Sequence, residues 1–278
     1  MPATGTVCAV MGPSHALSGA ATWLAGSLAV QHFAHFHQTP AQLAVGAAMC
    51  AGGALLPDLD LSGRVTTDQG GATVAHTFGV VSLFIAEVVE KLSLGIYDLT
   101  RTRRDPRLRN GHRTFTHTLP FNVGVGFGVF ELCWHYGRTA VLAVLFVTFA
   151  MALRGLFEKW ARRAGWLIVT LVAAGATFWA YHLLPGDRGY PVLGIALGIG
   201  GLVHLLGDMV TSHGCPVLWP IPTGRRMWRN IGVPDAIAVT VGGKVEVFVL
   251  RTAFALVALA AGAELFARPL LHRYDLEI

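Results

Sequence analysis

Long apolar stretches alternate with short polar segments along most of the chain. Each stretch has about 17 to 25 residues, enough for a helix to cross a hydrocarbon layer about 30 Å thick. The pattern predicts an all-α fold, a polytopic transmembrane helical bundle with about seven spans. The predicted spans cover roughly residues 16–33, 41–56, 117–136, 139–154, 165–184, 190–208 and 248–267.

An eighth apolar stretch, 73–96, differs from the others because it carries His76, Glu87, Glu90 and Lys91. A segment of this kind can span the membrane, re-enter from one side or lie in the interface. We predict an interfacial or re-entrant helix. The chain shows no internal repeat and no low-complexity linker, which favours a single membrane-embedded domain over 1–278.

Composition supports the membrane assignment. Of 278 residues, 53% are hydrophobic and only 13% are charged, about half the charged share of a soluble domain. The mean hydropathy is +0.54. The four cysteines are scattered without a C-x-x-C pair, so neither a zinc ribbon nor a disulfide framework is predicted.

Ionisable residues beside the apolar stretches fall into four short clusters. Such groups are costly near a membrane and by default mark a functional site. The clusters are "PSHALSG" with His15, "LLPDLDLS" with Asp58 and Asp60, "GHRTFTHTLP" with His112, Arg113 and His117, and "HLLGDMVTSHG" with His204, Asp208 and His213. His204 and Asp208, four residues apart, would share one helical face.

Counting spans tests whether the clusters can meet. Two spans separate His15 from Asp58, and four separate His117 from His204, so each pair returns to the same membrane face. All four clusters share one face only if 73–96 does not cross. This condition is the reason for placing that segment in the interface.

The distribution of Lys and Arg orients the bundle. Of the 21 basic residues, all but Arg138, Arg188, Arg268 and Arg273 fall on the face of the clusters. Since basic loops stay in the cytoplasm, the site should face inward in the plasma membrane. The arginine-rich run from Arg101 to Arg109 should contact anionic lipid headgroups, and no nucleic acid is needed to explain the net charge of +5.

Histidines and aspartates together are typical ligands of Zn²⁺, Mn²⁺ or Fe²⁺. Seven such residues exceed what one tetrahedral ion requires, so divalent ions, zinc or manganese and one or two in number, are predicted. A pair of ions can activate water and clamp a phosphoester for hydrolysis. In that hypothesis Arg113 binds the phosphoryl group, His15 is a ligand or general base, and His213 is a further catalytic candidate.

The order of the motifs "H-x-L-x-G", "LLPDLD", "GHRTFTHT", "HLLGDMVT" and "GCPVLWP" resembles the YdjM-type family of bacterial inner-membrane proteins, described as metal-dependent hydrolases. The resemblance covers about residues 11 to 220, and leaves a C-terminal loop and last span over 221–278. A more distant similarity to zinc phospholipase C and to single-strand-specific nucleases implies phosphoester hydrolysis, here of a phospholipid or lipid phosphate. The family's ligand set would fall on His15, Asp58, Asp60, His112, His117, His204 and Asp208. Leu61 and Thr114 depart from the family pattern, which has a histidine and a small residue there.

Three other interpretations remain open. Any single cluster could be the ordinary polar flank of a span. A membrane transporter would also contain polar residues, but at mid-bilayer and often in broken helices. A metal site that only staples helices together would bind ions without turnover.

Overall fold

A computed structural model describes residues 12–61, 77–184 and 192–267, and these residues are helical with no strand longer than an isolated bridge. The helices are α1 (Gly12–Ala34), α2 (Pro40–Gly53), α3 (Val80–Thr100), α4 (Leu119–Tyr136), α5 (Arg138–Leu156), α6 (Glu158–Leu183), α7 (Val192–Met209) and α8 (Arg251–Gly262). Two π-helical segments, Val245–Leu250 and Ala263–Ala267, extend α8 at its ends. The predicted all-α fold is confirmed, and each predicted span coincides with a helix to within several residues.

Five stretches of the described chain are long and apolar enough to cross a membrane: Pro40–Asp60, Leu119–Leu156, Glu158–Leu183, Val192–Met209 and Val245–Ala267. The second of them contains both α4 and α5, which meet at Gly137. Helix α1 is not in this set. Its polar residues Ser14, His15, Ser18 and Ser27 are buried against other helices, so its polarity reflects its position inside the bundle.

The centre of the bundle is built from α1, α2, α5 and α7. Helix α1 packs on α2, α5, α7 and α8; α2 also packs on α5 and α7, while α4 packs on α7 and α5 on α6. Met49, Leu145 and Leu193 are buried where these helices meet. Large apolar side chains such as Phe178 and Phe248 point outward instead. An apolar exterior is what a lipid environment requires.

Helix α3 exposes several large apolar side chains and buries small polar ones. Val81, Phe84 and Leu92 are exposed, whereas Ser82 and Ser93 are buried. The buried face packs on two short 3-10 turns, Pro57–Asp60 and Phe115–His117. Because these turns follow α2 and precede α4, helix α3 lies beside the C-terminal end of α2 and the N-terminal end of α4. Residues 73–76 of the predicted interfacial segment lie outside the described residues, and its position relative to the membrane stays a prediction.

Candidate metal centre

The four polar clusters converge at one end of the bundle. His15 is in the first turn of α1, Asp58 and Asp60 are in the 3-10 turn after α2, and His204 and Asp208 are on the last turns of α7. His112 precedes the second 3-10 turn, which ends at His117 immediately before α4. Ligand atoms of Asp58, Asp60, His112 and His117 lie within 4.8 Å of one another, as do those of His15, His204 and Asp208.

Four of these side chains surround a common point. The His117 Nε2 atom lies 3.1 Å from His204 Nε2, 3.4 Å from Asp208 Oδ2 and 3.6 Å from Asp58 Oδ1. His204 Nε2 lies 3.7 Å from Asp208 Oδ2 and 3.8 Å from Asp58 Oδ1. Ligands about 2.0 to 2.1 Å from a tetrahedral ion are roughly 3.4 Å apart. These spacings fit one divalent ion held by two nitrogens and two oxygens.

Hydrogen bonds fix which nitrogen of each imidazole faces that point. His204 Nδ1 is 2.8 Å from the Ala54 carbonyl oxygen, which can only accept, so Nδ1 carries the proton and Nε2 keeps its lone pair. Thr116 Oγ1 donates to Asp60 Oδ2 at 2.6 Å and can accept from His117 Nδ1 at 3.0 Å. In their neutral forms, the two imidazoles therefore present their Nε2 lone pairs to each other across 3.1 Å. A cation is the natural partner for that arrangement.

The aspartate of the first 3-10 turn, Asp60, organises one flank. Its Oδ1 accepts from His112 Nδ1 at 2.8 Å, and its Oδ2 accepts from the Arg113 backbone N–H at 3.1 Å as well as from Thr116. Asp60 is fully buried. A carboxylate with all these donors orients the neighbouring histidines and leaves the His112 lone pair on Nε2.

His15 forms the opposite flank. Its ring stacks on His204 with centroids 3.9 Å apart, and its Nε2 is 3.6 Å from Asp208 Oδ1. Space for the ring comes from Gly207, where an added Cβ would be 2.7 Å from His15 Cε1. His15 Nε2 and Asp208 Oδ2 are buried without a hydrogen-bond partner among the described residues. Unsatisfied buried polar atoms are rare, and bound cations would give each of them a partner.

The charges of the centre also fit a divalent cation. Three carboxylates, of Asp58, Asp60 and Asp208, meet one guanidinium, that of Arg113. Arg113 donates to Asp208 Oδ1 at 2.8 Å and to Thr211 Oγ1 at 3.3 Å. With neutral histidines the net charge is negative, and buried charge requires a counter-charge. A divalent ion supplies it.

Among the described residues of the centre, exposure to solvent is concentrated on one side. The side chains of Asp58, Arg113 and His112 are 15%, 19% and 24% exposed, whereas His15 and Asp208 are at most 2% exposed. Arg113 also has a backbone φ of +57°, which a non-glycine residue rarely adopts. Strained residues of this kind cluster at functional sites. An incoming molecule would meet the side chains of His112, Arg113 and Asp58 first.

Local sequence explains why His117 points inward. Thr118 is the N-cap of α4, and its Oγ1 accepts from the Phe121 N–H at 3.3 Å. The buried Asn122 side chain donates to the Thr116 and Thr118 carbonyl oxygens at 3.0 and 2.9 Å. The cap and the asparagine tie the 3-10 turn to the start of α4. The "THTLPFN" run therefore both begins the helix and holds His117.

Two further residues of the "HLLGDMVTSHG" segment, His213 and Gly207, differ from the sequence-based expectation. The structure does not bring His213 into either ligand group: it is exposed, and its hydrogen-bond partners are Ser212 and Asn230. Sequence reasoning missed Gly207, although its place between His204 and Asp208 in "HLLGD" is a signal that this helical face must be flat.

Cys215 of the "GCPVLWP" motif does not offer a thiolate. It is fully buried, with its Sγ 3.7 Å from the Leu205 carbonyl oxygen. Burial raises the pKa of the Cys215 thiol to about 12, with a further contribution from the charge of Asp208. At neutral pH this side chain is a thiol that packs behind α7.

Fold and centre together define the class of protein: an α-helical membrane protein with a buried His/Asp cluster suited to divalent cations. A family model described as YdjM inner membrane protein matches residues 10–269. The chain belongs to this family, as its motifs predicted. No curated protein and no solved structure matches the chain.

Proposed function

We propose that this inner-membrane protein is a metal-dependent hydrolase acting on a phosphoester, such as a phospholipid or a lipid phosphate, at the cytoplasmic interface. The observation that carries the proposal is the pair of Nε2 atoms of His117 and His204, 3.1 Å apart and flanked by the oxygens of Asp58 and Asp208. Zinc or manganese suits this mixture of nitrogen and oxygen ligands.

The chain would divide the work as follows. One ion would be held by Asp58, His117, His204 and Asp208. A second ion would be held on one of two flanks, either by Asp60 and His112 or by His15. When bound, such ions supply a water of lowered pKa and stabilise the negative charge that develops on a phosphoryl group. Since His15 is buried, a role as ligand fits it better than direct contact with substrate.

Arg113 is suited to bind the phosphoryl group. A guanidinium has five N–H donors, and the bonds to Asp208 and Thr211 use two of its nitrogens while leaving further donors. Because Arg113 is at the exposed side of the centre, these donors would be available to an entering substrate. The bond to Asp208 would hold the fork in a fixed orientation, which matches phosphate geometry.

Metal analysis of the purified protein tests the first step. We expect bound zinc or manganese in the wild type and a marked loss in His117→Ala and Asp208→Ala. His135→Ala is the matched control, because that histidine is exposed and pairs with Glu131 instead. Normal metal content in both ligand variants would overturn the proposal.

Hydrolysis tests the second step. With p-nitrophenyl phosphate, bis(p-nitrophenyl) phosphate and phospholipid vesicles as probes, we expect turnover that chelation abolishes and added metal restores. Arg113→Lys should keep the metal and lower turnover by about 10²-fold, since a lysine lacks the fork. Arg113→Gly removes the backbone strain of the positive φ together with the guanidinium. Since the guanidinium is the group expected to bind phosphate, this variant should be no more active than Arg113→Lys. Metal-loaded protein with no turnover on any probe would favour the non-catalytic alternative.

The alternative is a metal site that staples the bundle. It is favoured by one observation, that the ligands come from α1, the two 3-10 turns, the loop before the second turn and α7, which are distant in sequence. Chelation separates the two: an enzyme loses activity while its fold persists, whereas a staple loses its fold. A transporter would require polar groups at mid-bilayer, whereas these are at helix ends.

Orientation is tested by labelling. Cysteines placed at Ser62 and Asn110 should react with a membrane-impermeant reagent from the cytoplasmic side. Reaction from opposite sides would mean that 73–96 crosses the membrane.

A further inference from the structure

A cavity of about 600 Å³ lies outside the metal centre and is lined by arginines. Arg104 comes from the loop after α3, and Thr223, Gly224, Arg225, Arg226 and Arg229 come from the loop after α7. We call these four arginines and their two neighbours the arginine pocket. All four arginines are exposed to solvent.

The two loops are held together by a dedicated clamp. The buried Asp105 carboxylate accepts from the Met227 and Trp228 backbone N–H groups at 3.1 and 3.2 Å. Thr102 Oγ1 donates to the Arg225 carbonyl oxygen at 3.1 Å. The Trp228 indole donates to Thr100 Oγ1 at 3.1 Å. These bonds hold the backbone on both sides of the pocket, so the arginines are positioned by ordered structure.

The arginine pocket carries charge that the described chain does not neutralise. Ion pairs of the described arginines with carboxylates involve Arg101, Arg113, Arg162 and Arg251, and none of the pocket arginines. The carboxylate of Asp105, which directly follows Arg104, is occupied by the clamp. Like charges in one cavity repel each other, and an anion would relieve that repulsion.

The shape of the pocket favours a phosphate-bearing anion. Guanidinium groups bind phosphate oxygens through paired N–H donors. Gly224, with a φ of +68°, forms a tight turn in which the Thr223 N–H donates to the Arg226 carbonyl oxygen at 3.0 Å. The turn projects successive arginines into the same cavity. A volume of about 600 Å³ exceeds that of inorganic phosphate and leaves room for an attached organic group.

We propose that the arginine pocket is a binding site for a phosphate-bearing anion with at least two negative charges, separate from the metal centre and not dependent on its activity. The same chemistry is present in an anionic lipid headgroup and in a soluble phosphate compound. The arginine-rich run 101–109 thus contributes Arg104 to a defined pocket, together with three arginines more than 100 residues away in the sequence.

The test uses full-length protein in detergent and two probes. Isothermal titration with inorganic diphosphate measures the soluble class, and native mass spectrometry after addition of cardiolipin, whose headgroup carries two phosphates, measures lipid retention. The pocket variant is Arg225→Gln/Arg226→Gln. Its matched control is Arg103→Gln/Arg107→Gln, which removes the same charge from exposed arginines that do not line the cavity. Unchanged thermal unfolding and metal content show that each variant is folded.

We expect at least one probe to bind the wild type and the control equally, and to bind the pocket variant about tenfold more weakly. If the pocket variant loses lipid retention and the wild type binds no diphosphate, the site is one for lipid headgroups. If the pocket variant also loses diphosphate binding, the site accepts soluble phosphates too. Arg226→Lys should fall between the wild type and the double variant. Equal binding by pocket variant and control for both probes, or no binding of either probe by the wild type, would overturn the proposal. Arg104→Gln, in the other loop, repeats the test if the double variant unfolds.

Discussion

Substitution of Gly207 by alanine should displace His15 and weaken metal binding without unfolding the protein. An added Cβ would lie 2.7 Å from His15 Cε1 and 2.9 Å from Nδ1, whereas carbon atoms in ordinary contact are about 3.5 to 4.0 Å apart. The ring must therefore move by about 1 Å. Since the His15 ring packs on the face of α7 that carries His204 and Asp208, this movement also increases its distance from both residues.

The size of the effect follows from what His15 does. If it is a ligand or orients Asp208, displacing it should lower metal affinity by about 10 to 100-fold, as loss of an orienting group does at other metal sites. Alanine favours a helix interior by about 0.5 to 1 kcal/mol relative to glycine. The thermal unfolding temperature should consequently change little, because the helical gain offsets part of the strain.

The assay is a titration of chelated, detergent-solubilised protein with Zn²⁺ or Mn²⁺ against a competing chelating dye. Gly175→Ala is the control, since a Cβ at Gly175 has no other atom within 4 Å. The double variant His15→Ala/Gly207→Ala should bind metal as His15→Ala does, because the clash disappears with the ring. Wild-type affinity in Gly207→Ala, or additive losses in the double variant, would refute the reasoning.

Three further predictions concern groups around the centre and the clamp. Thr116→Val removes the hydroxyl between Asp60 and His117 and should lower metal affinity by about 10-fold or more, measured by the same titration. Burial opposes ionisation of Asp105, but hydrogen bonds from Thr102, Trp228 and Met227 hold its pKa below the ordinary 3.8. The stabilisation of the folded protein by this carboxylate is therefore complete above pH 3.8 and is lost in stronger acid. Asp105→Asn should remove this pH dependence from thermal unfolding. Glu246→Ala removes a buried carboxylate that accepts from the Ser14 hydroxyl and the Gly242 N–H and pairs with the part-buried Arg251, and should reduce the free energy of unfolding by about 1 to 3 kcal/mol in denaturant titrations.

Each of these changes has a control. Thr116→Ser retains the hydroxyl and should restore metal affinity. Asp98→Asn alters an exposed acid on the same segment and should leave the acid dependence as in the wild type. Glu131→Ala removes an acid from a largely exposed pair and should cost under about 1 kcal/mol. A control that matches its test variant would contradict the corresponding argument.

The hydrophobic pattern by itself determined the helices, because a chain in lipid must satisfy its backbone hydrogen bonds within each helix and the required lengths follow from membrane thickness. It also indicated the seven candidate ligands, since ionisable residues beside apolar stretches are too costly to be common. The family match over 10–269 agrees with the motifs on which the resemblance rested.

Only the tertiary structure decided how the ligands meet. The sequence could not show that the Ala54 carbonyl and Thr116 turn two imidazoles toward one another, because those contacts join residues up to 150 positions apart. Nor could it show that Gly207 leaves room for His15, or that His213 lies apart from the ligand groups. The arginine pocket likewise depends on Asp105 joining two loops distant in sequence. Spacing along the chain fixes neighbours on one helix, whereas contacts between helices depend on packing that no local pattern records.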